Sequence, residues 1–169
     1  GLTEVEEKWV AVSEIVNRSL TFVEFRAQAR GIKFDLDAID DGFEVWADER
    51  MMVQALSNLL SNAVKFSHHG GLVEIITAIM PDGRFEIRVE DRGIGVDAGD
   101  IENVFEPFWQ AKSPLRSADE GIGLGLSIVR QLMDLHGGEV AMRVRDDGGT
   151  AVCLLLPKDR ARKRSDGAK

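Results

Sequence analysis

Six polar side chains recur along one arc of a predicted helix: Gln54, Ser57, Asn58, Ser61, Asn62 and Lys65. Asp48 reads as the N-cap of that helix, which runs to about Phe66. At about 100° per residue, Met52, Ala55, Leu56, Leu59, Leu60, Ala63 and Phe66 share the opposite face. Asn58 and Asn62 stand one turn apart, and Lys65 follows on the same stripe. Such an arc is either a solvated face or a site. Solvated faces favour Glu, Lys, Arg and Gln, because Asn and Ser each cost roughly a few tenths of a kcal/mol in a helix. Neutral amides ending in a lysine suit a site that offers oxygen ligands and one cation to a polyphosphate. Oxygen ligands together with water are what Mg²⁺ prefers.

Two glycine-bearing segments could complete such a site. In DRGIGV, Asp91 to Val96, an acidic side chain ends a predicted strand, placed to accept a hydrogen bond from an exocyclic amine. Gly93 and Gly95 allow the backbone to turn and to approach a ligand closely; a plain turn is the simpler reading. In GIGLGLSIV, Gly121 to Val129, three alternating glycines enter an apolar helix. Each glycine costs about 1 kcal/mol in a helix against alanine, so something compensates. Either it packs tightly on a neighbouring strand, or the helix start turns its N–H groups toward an anion. The spacing is neither that of a Walker loop nor that of a Rossmann turn.

FEPF, Phe105 to Phe108, lies between these segments, and its phenylalanines read as core or else as anchors for the ends of the following loop. The stretch Trp109 to Glu120 has no apolar period, carries Lys112 and Arg116, and has the character of a lid. His68, His69 and His136 lie beside glycines, with no cysteine or carboxylate cluster at ligand spacing. The single cysteine, Cys153, sits in an apolar run and reads as a buried small hydrophobe.

The elements that must position these residues follow from the same patterns. A short strand is expected at Val10 to Val12, then a helix over Glu14 to Arg30 with Ser13 as N-cap and Gly31 as its stop. Strands follow at Ile32 to Leu36 and Phe43 to Ala47. Beyond the Asp48 helix, Leu72 to Met80 and Arg84 to Glu90 form a hairpin across Pro81-Asp82-Gly83. A short helix is expected at Asp100 to Phe105 and a longer one at Ile122 to Leu135. Glu139 to Arg145 and Thr150 to Leu156 close the chain as a second hairpin. Long hairpins imply antiparallel pairing, so the fold class is α+β, with helices on one face of a mixed sheet.

The 169 residues fit one domain, and 44% apolar with 30% charged residues is an ordinary globular composition. No run of apolar residues is long enough to span a membrane, and no signal-peptide pattern opens the chain. The net charge is −8. Residues 158 to 169 hold six basic and two acidic side chains, which leaves −12 on the first 157. A body that acidic argues against general nucleic-acid binding. The domain is expected over residues 10–157, after an arm or linker end at 1–9 and before a basic tail at 158–169 that reads as a frayed terminus or the start of a linker.

Taken together, NLLSNAVKFS (Asn58 to Ser67), DRGIGV, FEPF, GIGLGLSIV, HGG (His136 to Gly138) and GGTAVCLLLP (Gly148 to Pro157) resemble the catalytic ATP-binding domain of sensor histidine kinases. The resemblance covers about Val10 to Pro157, and it rests on all the boxes occurring in this order. It implies a two-layer α/β sandwich of the Bergerat type, with a mixed sheet of about five or more strands under three long helices. It further implies ATP and Mg²⁺ as ligands. By resemblance, Asn62 binds the metal and Asn58 supports metal and phosphates. Lys65 contacts phosphate, Asp91 reads the adenine amine, and Gly93 and Gly95 shape the base pocket. Thr150 supports Asp91. Gly121, Gly123 and Gly125, with Leu124 and Leu126, form the phosphate cradle, and Lys112 and Arg116 swing in from the lid. Ile122 departs from the pattern, in which a small hydroxyl residue is common.

The activity so implied is transfer of the γ-phosphoryl group to a histidine on a separate dimerisation domain, with Asn58 and Lys65 as the catalytic pair. The acceptor is expected upstream in the same protein, with a response regulator acting later. The domain alone is expected to be a cytoplasmic monomer and the full-length protein a homodimer. Two rivals stand beside this. Hydrolytic ATPases of the superfamily need a carboxylate base one turn before the metal asparagine, where this chain has Asn58. A degenerate kinase would instead use the domain as a regulatory module that binds nucleotide or a partner.

Overall fold

The computed structural model describes residues 4–110 and 125–165. Strand β1 (Glu7–Ala11) passes directly into helix α1 (Val12–Ala29), then β2 (Lys33–Asp35), β3 (Phe43–Asp48), helix α2 (Glu49–Phe66) and the hairpin β4 (Leu72–Ile79) and β5 (Phe85–Asp91). Helix α3 (Gly125–Leu135), β6 (Glu139–Val144), β7 (Thr150–Leu156) and β8 (Ala161–Lys163) follow. Five strands form a mixed sheet in the order β2-β4-β5-β7-β6, and β1-β3-β8 form a second, small sheet. Every pairing is antiparallel except β2 with β4. The expected α/β sandwich is therefore present, its mixed sheet facing the helices.

Alternation along the strands decides which side faces the helices. Phe85, Ile87 and Val89 on β5 and Val152, Leu154 and Leu156 on β7 join Leu56, Leu59, Leu60 and Met133 in one core. On the outer side Arg88 pairs with Glu86 and Glu90, and Arg145 reaches Glu90 at 2.9 Å. Cys153 lies on that outer side opposite Arg88, yet it is buried. Burial, then the neighbouring Glu86 carboxylate, push its thiol up to about 12. The thiolate is the reactive species, so Cys153 should resist a disulfide reagent in the native protein at about pH 8 and react fully in denaturant. Prompt labelling of the folded protein would contradict this burial.

His136 is completely buried. Its Nδ1–H donates to the Leu132 carbonyl at 2.7 Å, and its Nε2 accepts from the Asp48 N–H at 3.1 Å. The imidazole thus ties the end of α3 to the start of α2. Asp48 caps α2 as expected, accepting from the N–H groups of Arg50 and Met51. Beside it, Lys8 at 2.7 Å and Arg18 bind Glu49 and hold its carboxyl below its ordinary value of 4.5. A carboxylate depressed by folding contributes stability that is full above its unfolded pKa and is lost as pH falls through the folded one. The melting temperature of wild type should therefore exceed that of Glu49→Gln at about pH 7, with the gap closing below pH 4.5. A gap independent of pH would exclude Glu49 as the cause.

Several local expectations are corrected. Ser13 is not the N-cap of α1: the cap is Ala11, with no side-chain bond, because β1 stays paired with β3 through Ala11 and the helix begins at once. The expected helix Asp100 to Phe105 is a 3₁₀ turn at Ala98–Asp100 followed by further turns. Of the FEPF phenylalanines, Phe105 is half-buried, while Phe108 is 71% exposed at φ +63°; Val104 takes the core position instead. Residues 158–165 do not fray. Arg160 bonds Glu7, Arg162 pairs with Glu44 at 2.5 Å and lies 3.8 Å over Trp9, and β8 adds to the edge of β3. The carboxylates and indole of β1 and β3 give these cations partners that a sequence reading cannot see.

Candidate nucleotide site

Asp91 ends β5 and is 5% exposed. Its Oδ1 accepts from the Gly93 N–H at 2.9 Å, and its Oδ2 accepts from the Thr150 hydroxyl at 2.7 Å. Thr150 reaches it because β7 lies beside β5 in the sheet. The carboxylate is thereby fixed in one orientation by two donors from different elements. Around it lies a pocket walled by Leu59 and Ala63 of α2, Val89 of β5, Met142 of β6 and Val152 of β7, with Val104 and Trp109 closing one side. Such a pocket, apolar but for a few aimed polar groups, suits a flat heterocycle with an exocyclic donor.

The glycines are used differently from one another. A Cβ on Gly93 would stand 2.0 Å from the Phe66 carbonyl, and one on Gly149 would stand 2.1 Å from the Asp91 carbonyl. Their lack of a side chain lets the end of α2, the Asp91 turn and the β6–β7 turn meet backbone to backbone. Gly95 lines the pocket at φ +70°.

The α2 stripe meets α3. Ser57, Asn58, Ser61, Asn62 and Lys65 are half-buried, and only Gln54 is exposed, so the stripe is not a freely solvated face. Asn58 Nδ2 donates to the Gly125 carbonyl at 3.3 Å, and Asn62 lines the pocket with Asp91 and Leu126. The Lys65 ammonium lies 5.2 Å from the centre of the Phe66 ring. The Ser57 hydroxyl is buried with no hydrogen-bond partner, a polar group left over on the same stripe.

Of the residues expected in the site, Asn62, Asp91, Gly95, Leu126 and Thr150 share one pocket, with Gly93 turning behind Asp91. Asn58 and Gly125 touch each other alongside it. Lys65 is one turn beyond Ser61 on α2 and does not line the pocket. Lys112, Arg116, Gly121, Gly123 and Leu124, and all of the lid but Trp109 and Gln110, lie outside the described residues. Sequence reasoning missed Gly149 and the apolar walls Val104 and Met142. Alternation along β6 does put Met142 on the helix-facing side, a signal that was available.

A sequence profile of the histidine kinase-, DNA gyrase B-, and HSP90-like ATPases matches residues 47–160, which span α2, Asp91, α3 and Thr150. The chain belongs to this family. Histidine protein kinase DivJ of Caulobacter vibrioides is 38% identical over 144 residues, covering 85% of this chain and 24% of DivJ. Among solved structures, the mycobacterial sensor histidine kinase MprB superposes with a TM-score of 0.79 at 29% identity, covering 93% of this chain and all of that one. Full-length ShkA in complex with AMPPNP superposes at 0.75 with 27% identity, covering 93% of this chain and 32% of ShkA. The resemblance to sensor histidine kinases is thus carried by sequence and by fold, and ATP is the ligand class of the family. The chain spans 18–38% of the length of its curated relatives. No helix among the described residues is long and apolar enough to cross a membrane.

Proposed function

We propose that this domain binds Mg·ATP and donates the γ-phosphoryl group to a histidine on a separate segment of the same protein, as the kinase of a two-component system. The observation that carries the reading is the Asp91 carboxylate, held by Thr150 and Gly93 at the base of an apolar pocket that opens onto Asn62. Adenine presents its 6-amino group to Asp91, whereas guanine would turn a carbonyl against the carboxylate. The triphosphate then lies toward the α2 stripe and the start of α3.

The donor set fits a hard cation. Asn62 and Asn58 offer amide oxygens, which Mg²⁺ accepts together with water and phosphate oxygens, and Asn62 faces the pocket beside Asp91. Bound there, Mg²⁺ supplies neutralisation of the phosphate charge. Asn62 is its ligand, Asn58 orients the site from its bond to Gly125, and Lys65 adds a cation at the phosphate end.

Among the described residues, the α2 stripe carries no carboxylate, and the only acid lining the pocket, Asp91, is engaged by Thr150 and Gly93. A hydrolase needs a base for water at this place. Its lack favours a protein nucleophile as acceptor. His136 cannot serve, since it is buried and bound at both ring nitrogens. The reading carries with it a cytoplasmic domain, monomeric alone, in a dimeric protein that passes its phosphoryl group to a response regulator.

Calorimetry with and without Mg²⁺ tests the site. Asn62→Ala should weaken Mg·ATP binding about tenfold, the worth of one ligand bond, and change metal-free ATP binding less than about twofold. Equal losses in both titrations, or none, would remove Asn62 from the metal. The activity is tested by γ-labelled ATP and the full-length protein. Label should enter an acid-labile, base-stable phosphohistidine faster than it appears as inorganic phosphate; the opposite order sinks the kinase reading.

A further inference from the structure

HGG, His136 to Gly138, closes α3 and lines no part of the nucleotide pocket. Its imidazole is completely buried, where an apolar side chain would fill the space without losing any hydration. Both ring nitrogens meet backbone groups, and those partners leave one tautomer. Leu132 offers a carbonyl, which only accepts, so Nδ1 carries the proton; Asp48 offers an N–H, which only donates, so Nε2 is bare. The Leu132 bond is local to α3. The Asp48 bond crosses to the start of α2.

Both sides of that crossing bond are fixed. The Gly138 N–H bonds the Met133 carbonyl at 2.9 Å, and a Cβ on Gly138 would stand 2.5 Å from the Leu155 carbonyl, so the end of α3 rests on β7. Opposite, the Asp48 carboxylate accepts from the N–H groups of Glu6, Arg50 and Met51. The two helices are tied a second time, where Asn58 Nδ2 donates to the Gly125 carbonyl at 3.3 Å. Asp48 meets His136 and Asn58 meets Gly125, so α2 and α3 run antiparallel. From Asp48 to Asn58 α2 rises about 15 Å, and from Gly125 to His136 α3 rises about 16 Å, at about 1.5 Å per residue. The two ties mark off matching lengths. Between them Met52, Leu56, Val129 and Met133 belong to the core. Apolar contact is non-directional, so it presses the helices together more than it dictates their register. A slip of one residue would carry the Gly125 carbonyl about 1.5 Å along α2, out of hydrogen-bond reach of Asn58 as it stands.

We propose that His136 is the axial pin of the nucleotide site: a positioning residue that, from about 15 Å away along the helices, sets the register of α3 on α2 and so places the start of α3 opposite Asn58 and Asn62. The proposal rests on the nucleotide reading of that site. The phosphates, which lie between the start of α3 and the α2 stripe, are what the register governs, and a misplacement of about 1 Å is costly there. The reader of the base stands apart from the helices: Asp91 ends β5 and is held by Thr150 of β7. Loss of the pin should therefore separate ATP from adenosine.

Two substitutions divide the two bonds. In His136→Gln the side-chain amide reaches about as far as Nε2 and can accept from Asp48; in His136→Asn it reaches only as far as Nδ1 and keeps the Leu132 bond alone. Calorimetry should find ATP binding at least about tenfold weaker in His136→Asn and within about threefold of wild type in His136→Gln, with adenosine binding within about twofold in both. Adding Asn58→Ala to His136→Asn should weaken ATP binding by less than about half the factor it costs in wild type, because the Asn58 bond is already out of register; sites this far apart are otherwise additive. ATP and adenosine affinities falling in step, equal ATP losses in the two variants, or additivity with Asn58→Ala each overturn the pin and leave a histidine that only fills the core. Wild type gives a reading that holds even where a variant fails to fold: labelled with ¹⁵N-histidine, it should show one imidazole protonated at Nδ1 and bare at Nε2. A proton on Nε2 excludes the bond to Asp48 and overturns the pin. A wild type that binds no ATP refutes the nucleotide reading, and the role of the pin with it, whereas ATP binding that His136→Asn leaves intact refutes the pin alone.

Discussion

Asp91→Ala is expected to bind ATP at least tenfold more weakly than wild type in calorimetric titration. A hydrogen bond from the adenine amine to a charged acceptor is worth roughly 1.5–3 kcal/mol, which sets that lower bound. The loss should exceed it, because the substitution also strips acceptors from the Gly93 N–H and the Thr150 hydroxyl, both of which point at this carboxylate. Asp91→Asn keeps the shape and one acceptor oxygen, and its NH₂ must face either the Thr150 hydroxyl or the Gly93 N–H, which is itself a donor. Thr150 can accept, so this variant should fall between wild type and alanine. Thr150→Val should weaken binding by a smaller factor, about that of one neutral hydrogen bond. ATP affinity in Asp91→Ala equal to wild type would take Asp91 out of the site and leave the pocket without a reader of the base.

Gly149→Ala should do far more damage than the same change at its neighbour Gly148. Gly148 and Gly149 both have positive φ, +95° and +86°, so alanine is strained at either. The surroundings separate them. Nothing lies within 4 Å of a Cβ on Gly148, whereas one on Gly149 would meet the Asp91 carbonyl at 2.1 Å and the Arg92 Cα at 2.7 Å. Backbone cannot swing aside as a flexible side chain would, so Asp91 or the β6–β7 turn must move. Gly148→Ala should cost about 1–2 kcal/mol in stability from conformation alone. Gly149→Ala should cost at least about 2 kcal/mol more, or roughly 5 °C further in melting temperature for a domain of this size. ATP affinity should fall in Gly149→Ala and hold in Gly148→Ala. Equal melting temperatures for the two would show that the turn is free to shift.

The family relationship gives these tests a common frame, since they ask whether this chain uses the shared pocket as its relatives' names imply. DivJ and MprB are named as kinases, and ShkA was solved with AMPPNP.

What the sequence determined by itself was everything governed by near neighbours along the chain. The 3.6-residue period of α2, its Asp48 cap and the polar stripe from Gln54 to Lys65 were legible, because a helix bonds within itself and its faces follow from counting. The two hairpins, the place of Asp91 at a strand end and the glycine turns were legible for the same reason. Only the tertiary structure decided what depends on residues far apart in sequence. Why Gly93 and Gly149 are glycines is answered by the Phe66 and Asp91 carbonyls that abut them. The cap of α1 moved to Ala11 because β3 pairs β1 to its end, and residues 158–165 became ordered because Trp9, Glu7 and Glu44 received their arginines. The exposure of Phe22, Phe25 and Phe108 was equally hidden, since a phenylalanine at helical or turn spacing carries no mark of whether anything packs on it. Periodicity is a property of the local chain, whereas contact is a property of the fold.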